Sequence, residues 1–135
     1  MDFRVKALRV SGQKDFVDSL HKLFINKKED LKEIDFDILA PIDIKVDGSL
    51  SFMKILFMSK EGTNIDWIES IVTRFKVYAT VHYLDYGELK EHYYYIAPIN
   101  KIKEKKVYDF ELDEYGNAVF SKDSPVSKEA LYLLK

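Results

Sequence analysis

A chain of 135 residues, 47% hydrophobic and 33% charged, with a formal net charge of -2, has the size and composition of a single globular domain that can bury one core without staples. The absence of cysteine excludes disulfides, thiolate zinc sites, iron–sulfur clusters and cysteine nucleophiles. The slight acidity and the scarcity of arginine, with only Arg4, Arg9 and Arg74, count against a protein that holds nucleic acid mainly by neutralising phosphates.

The opening MDFRVKALRV is charged and strand-like, unlike a secretory signal, and no apolar run reaches membrane-spanning length. The chain is therefore expected in the cytoplasm, with no membrane partner. Phe3, Val5, Leu8 and Val10 shift phase at Ala7, which fits a strand buried on both faces or kinked by a bulge, ended by Ser11-Gly12. From Lys14, the residues Phe16, Val17, Leu20, Leu23 and Phe24 form one helical stripe, closed by Lys27-Lys28. Ile34, Phe36 and Ile38 alternate with Asp35 and Asp37 and predict a strand ending before Pro41.

A hairpin is expected around Asp47-Gly48. Ile42, Ile44 and Val46 oppose Leu50 and Phe52 only across an odd-numbered loop, so a three-residue turn with left-handed Gly48 is predicted. Leu50–Met58 then reads as a central strand. Thr63 or Asn64 caps a second helix whose buried side is Ile65, Ile68, Ile71, Val72 and Phe75. Val77, Ala79, Val81 and Tyr83 mark the inner face of a further strand, and a turn centred on Gly87 returns the chain as LKEHYYYI. Past Pro98 come a charged ribbon or loop at Lys101–Lys106, an alternation at Tyr108, Phe110 and Leu112, and a turn at Tyr115-Gly116-Asn117 into Ala118–Phe120. Ser124-Pro125 suits the start of a short terminal helix.

The grammar repeats. FRVKALRV, DFVDSLHKLF and IDFDIL are echoed by SFMKILFM, IDWIESIVTRF and KVYATVHY. The doubling predicts an α+β domain, a ferredoxin-like β-α-β-β-α-β antiparallel sheet with two helices on one face. Residues 1–96 form its core and 97–135 a C-terminal β-hairpin extension plus short helix, within a single domain over 1–135.

These segments also resemble the YubB-like family of small ferredoxin-like proteins of phages and plasmids. Leu8, Val10 and Gly12 match its Leu-x-Val-x-Gly start, Phe36 and Pro41 its Phe-x-x-x-x-Pro strand end, and Phe57 opens its Phe-x-Thr-x-Trp-x-Pro-Pro lead-in to the second helix. Ser59, Glu61 and Thr63-Asn64 then depart from that last motif. The likeness spans roughly two thirds of the chain, and it implies topology and a phage or mobile-element setting.

Three constellations carry chemistry. With the turn centred on Gly87, His82 faces His92 and Thr80 faces Tyr94, so Tyr78, His82, His92, Tyr94 and Ile96 share the open face of the sheet, where RNA-recognition modules stack bases. The bland alternative is a self-covering or protein-binding face. His82 and His92 are two imidazoles without a third ligand, so no metal or cofactor is expected. Acidic residues gather at Asp30, Glu33, Asp35, Asp37, Asp43 and Asp47, and again at Asp109, Glu111, Asp113 and Glu114, with neither run spaced as a calcium loop. The second, with Tyr115 at a hairpin tip, is the expected contact for a protein partner presenting a basic nucleic-acid groove.

No nucleophile elbow and no glycine-rich phosphate loop occurs. The chain is therefore read as a non-enzymatic protein-binding module. The family resemblance makes its partner a host defence nuclease, in the manner of an anti-CRISPR protein. Single-stranded nucleic-acid binding through the open face is the alternative.

Overall fold

The computed structural model describes residues 3–60, 65–98 and 103–125. Its strands are β1 (Phe3–Gln13), β2 (Asp37–Ile38), β3 (Asp43–Asp47), β4 (Leu50–Lys60), β5 (Tyr78–Asp85), β6 (Lys90–Ile96), β7 (Lys103–Leu112) and β8 (Ala118–Phe120). Its helices are α1 (Lys14–Asn26), α2 (Lys28–Glu33) and α3 (Ile65–Phe75). All strands join one antiparallel sheet ordered β2-β4-β1-β5-β6-β7-β8, with β3 also on β4.

The ferredoxin-like expectation of four strands and two helices is overturned by this eight-stranded sheet with three helices. Pairing does not stop at β5. Within the run read as ribbon or loop, Lys103–Lys106 open β7, where two lysines find partners on the tyrosines of β6: the ammonium of Lys105 lies 5.3 Å from the Tyr94 ring and that of Lys106 5.8 Å from the Tyr95 ring. The unforeseen α2 forms because Leu31 reaches the core. Asp35 then takes φ 60 and accepts a hydrogen bond from the Lys60 N–H, which shortens the predicted 34–38 strand to the two residues of β2.

The phase shift at Ala7 is not a bulge. β1 pairs with β4 without interruption from Phe3↔Lys60 to Gln13↔Leu50, straight through Ser11-Gly12. Lys6 occupies an interior position instead, with its ammonium 2.8 Å from the Lys60 carbonyl and over the Tyr83 ring, while Val5 faces outward. A lysine can lie inside when its charged tip is met by a carbonyl and a π-face.

One core lies between the helices and a single sheet face. It joins Leu8, Val10, Met53, Ile55 and Phe57 with Val17, Leu20 and Phe24 of α1, Leu31 of α2, and Ile65, Ile68, Ile71 and Val72 of α3. The Phe36 ring stacks on Phe57 at 4.0 Å and on Phe24 at 5.6 Å, and Trp67 meets both Phe24 and Phe36 edge-on. The helices leave the other face of the sheet open. The caps expected at Thr63 and Asn64, and the terminal helix beyond Pro125, lie outside the described residues.

Leu20 is fully buried between helix and sheet. Leu20→Ala should lower stability by about 2 to 5 kcal/mol through the cavity it leaves, read as a shift in urea midpoint with unchanged slope.

Candidate functional site

Both hairpins differ from their predicted registers, and the differences decide what the open face carries. The β3–β4 loop is the two-residue Gly48-Ser49, closed by Asp47↔Leu50. Gly48 has φ 63 while Ser49 does not enter the left-handed region, which is the type II′ geometry favoured for two-residue hairpins. The Ser49 carbonyl accepts a hydrogen bond from Lys14 N–H at the start of α1. Ser51 therefore opposes Val46 and is buried, and Phe52 turns to the open face.

The second hairpin has a four-residue loop, Tyr86–Leu89, closed by Asp85↔Lys90. The Asp85 carboxylate accepts hydrogen bonds from the N–H groups of Gly87 and Glu88 and pairs with Arg4 at 3.1 Å. Leu89 supplies the positive φ. The result is a one-residue slip from a three-residue turn, which exchanges the faces of β6. Tyr83 now opposes His92, and His82 opposes Tyr93.

Of the residues assigned to the open face, Tyr78 and His82 are there, while His92, Tyr94 and Ile96 point to the helix side. His92 stacks on Tyr83, and Tyr94 packs on the core. His82 and His92 stand on opposite faces and cannot share an ion. Glu91, Tyr93 and Tyr95 take the vacated positions.

Register sorts the open face into rows crossing the strands. One row reads Lys45, Phe52, Ser11, Tyr78, and the next reads Asp43, Lys54, Arg9, Thr80, Tyr95. Together they line a groove of about 440 Å³ whose floor includes Ala79, Ile96 and Ala97. That volume lies in the range of small-ligand sites. Among the described residues, the side chains of Arg9, Lys45 and Lys54 form no hydrogen bond or ion pair. A chain of net charge -2 thus gathers three cations and one carboxylate, Asp43, around an aromatic-walled groove.

Past Tyr95, over β6 and β7, the open face is covered. Phe120 of β8 opposes Phe110, and Ser124, fully buried, shares a hydrogen bond with Tyr93. Beneath this strap His82 Nε2 lies 2.9 Å from Glu91 Oε2, and the Tyr93 hydroxyl donates to the same oxygen at 3.4 Å. Glu91 is completely buried, with Oε1 lacking a hydrogen-bond partner among the described residues. Burial, and then the Glu91 charge, push the Tyr93 phenol well above its usual range.

The second acidic cluster is dispersed. Asp109 is paired with Lys90, and Asp113 is spent on its own turn, accepting from the N–H groups of Tyr115 and Asn117. Glu111, Glu114 and Tyr115 remain exposed, Tyr115 by 81%. Sequence reasoning overlooked Ser11, Lys45, Phe52, Lys54 and Tyr95 as site residues, and treated Arg9 only as one of few arginines. Reading Gly48-Ser49 as a two-residue turn would have set Phe52 and Lys54 opposite Lys45 and Asp43, on the face away from Ser51.

No family model matches the chain, and no curated protein or solved structure is significantly similar to it. No group of three or more metal-ligating side chains occurs among the described residues, and no helix there is long and apolar enough to cross a membrane.

The backbone N–H of Asn117, followed by that of Tyr115, holds the Asp113 carboxyl below its ordinary 3.8. A depressed folded-state pKa means that the turn's stabilisation is fully present above about pH 4 and is lost as pH falls through the folded value. A carboxyl-carbon NMR titration should give an Asp113 midpoint below 3.8, with the Tyr115 and Asn117 amide signals moving alongside. A midpoint at or above that value would remove the capping role.

Proposed function

We propose that this protein binds single-stranded nucleic acid in the open-face groove, without chemistry on its ligand. The carrying observation is the meeting of Arg9, Lys45 and Lys54 with the rings of Phe52, Tyr78 and Tyr95 around one groove. Cations meet phosphate, and aromatic faces stack bases irrespective of sequence. The low net charge no longer opposes this reading, because the cations are concentrated where the rings are.

Fluorescence anisotropy with labelled five-nucleotide DNA and RNA at low salt tests it. Tyr78→Ala with Tyr95→Ala should cost roughly 1 to 3 kcal/mol per stacked base. With one to two phosphates neutralised, log K should fall with log salt at a slope of about -0.7 to -1.4. Absence of binding by the wild type at low salt withdraws the proposal.

A second reading has one observation in its favour: Tyr115, the most exposed large hydrophobic side chain described, projects from the β7–β8 hairpin next to Glu114. It is the reading of a protein partner, and the YubB-like resemblance alone extends it to a mobile-element factor that blocks a host defence nuclease. Its test must spare Asp113, whose charge reversal would unmake the turn. Glu111→Lys with Glu114→Lys should slow association with such a partner several-fold at low salt, an effect that vanishes at high salt, while the melting temperature stays within a degree or two. An unchanged association rate would release the hairpin from this role.

A further inference from the structure

The geometry points to a slot for a single nucleotide, its base held between Phe52 and Tyr78 and its phosphate on Arg9 and Lys54. This rests on the groove reading and specifies its ligand. Phe52 and Tyr78 both oppose Ser11, one from each neighbouring strand. Adjacent strands lie about 4.8 Å apart and side chains stand perpendicular to the sheet, so the two ring-bearing strands are roughly 10 Å apart. A planar ring in contact with two others needs about 7 Å between them, given carbon contacts near 3.5 Å. Ser11 is the small residue between the walls that leaves this gap open. Both walls are bare, Phe52 by 44% and Tyr78 by 50%, an arrangement that leaves apolar rings in water until something planar enters.

The next row places the charge. Arg9 lies two residues from Ser11 on β1 and Lys54 two from Phe52 on β4, and the two oppose each other. Two strand residues span about 6.6 Å, a distance that a ribose bridges between base and phosphate.

The slot ends there. The next row, Leu56, Ala7 and His82, and the pair Met58 and Val5 after it bring no lysine or arginine. On the far side Tyr93 lies under the strap, and Lys106 is paired with Glu104 at 3.4 Å. Lys45, on the other flank of Phe52, is the groove's remaining cation and stands alone, so a polynucleotide running across this face finds one paired phosphate station, Arg9 with Lys54. The unit recognised is therefore one nucleoside phosphate, free or at the end of a chain.

Calorimetric and anisotropy titrations at low salt compare adenosine, the four nucleoside 5′-monophosphates, and oligonucleotides of two, five and ten residues with and without a 5′-phosphate. Monophosphates should bind at least tenfold more tightly than the nucleoside. Affinity should gain less than about threefold between two and ten residues. Phe52→Leu and Tyr78→Leu, which keep apolar bulk, should each weaken monophosphate binding tenfold or more, whereas Tyr78→Phe should not. Free monophosphate binding equal to that of the 5′-phosphorylated chain identifies a free nucleotide as source, and a clear preference for the phosphorylated chain identifies a terminus.

Affinity that climbs with every added residue, or oligonucleotide binding indifferent to Phe52→Leu, overturns the slot while leaving strand binding in place. No binding of any nucleotide or oligonucleotide ends both.

Discussion

Asp85 is the residue on which the register of the sheet beyond β5 depends, and with it the place of Tyr95 on the open face. Its buried carboxylate receives two backbone N–H groups from its own turn and, at 3.1 Å, the guanidinium of Arg4 on β1. A buried carboxylate is costly unless its oxygens are met in this way. The arrangement holds the four-residue loop, and the loop sets the register of β6 and, through β6, of β7. A one-residue slip would lift Ile96 out of the core, a loss of roughly 1.5 to 3 kcal/mol, and drive Glu91 in among the apolar side chains of the helix face.

With that register set, the open face divides in two. Over β6 and β7 it is closed by β8 and the turn to Ser124, which bury Tyr93, Phe110 and Glu91. Over β4, β1 and β5 it stays uncovered, and that is where the free cations and the exposed rings collect. The covered half resembles a second, polar core, with the Glu91 charge facing His82 and the Tyr93 hydroxyl. The uncovered half has the mixed character of a binding site, apolar on its floor and charged at its rim.

The sheet also manages its own edges. On one side β2 and β3 share the edge of β4, separated by Leu39–Ile42, where the Leu39 N–H still bonds the Leu56 carbonyl and Pro41 offers no donor. On the other side β8 is three residues long. Short and interrupted edges of this kind discourage edge-to-edge association, which leaves the groove as the more available surface.

The helical stripes of α1 and α3 and the central strand β4 were legible in the sequence, because a period of 3.6 or an unbroken apolar run reflects burial that local spacing already encodes. The turn chemistry at Asp85 and Gly48 was also written there, but each turn admitted two loop lengths. Local pattern could not choose between them, since the tyrosine run of β6 suits either face. Tertiary packing chose: Ile96 and Tyr94 had to meet the core, Ser49 had to accept the N–H that opens α1, and Lys6 had an interior carbonyl to reach. Past β5 the return strand and the hairpin into Ala118–Phe120 were legible, but the lysine-rich start of β7 was hidden, because such a segment becomes a strand only when a neighbouring strand presents aromatic faces to its ammonium groups. The amino-acid order alone thus determined which residues seek burial and where the chain turns. Which side of the sheet received Phe52, Arg9, Tyr78 and Tyr95 was decided only by the pairing of whole strands, since a shift of one residue exchanges the two faces and nothing local to a strand records which was taken.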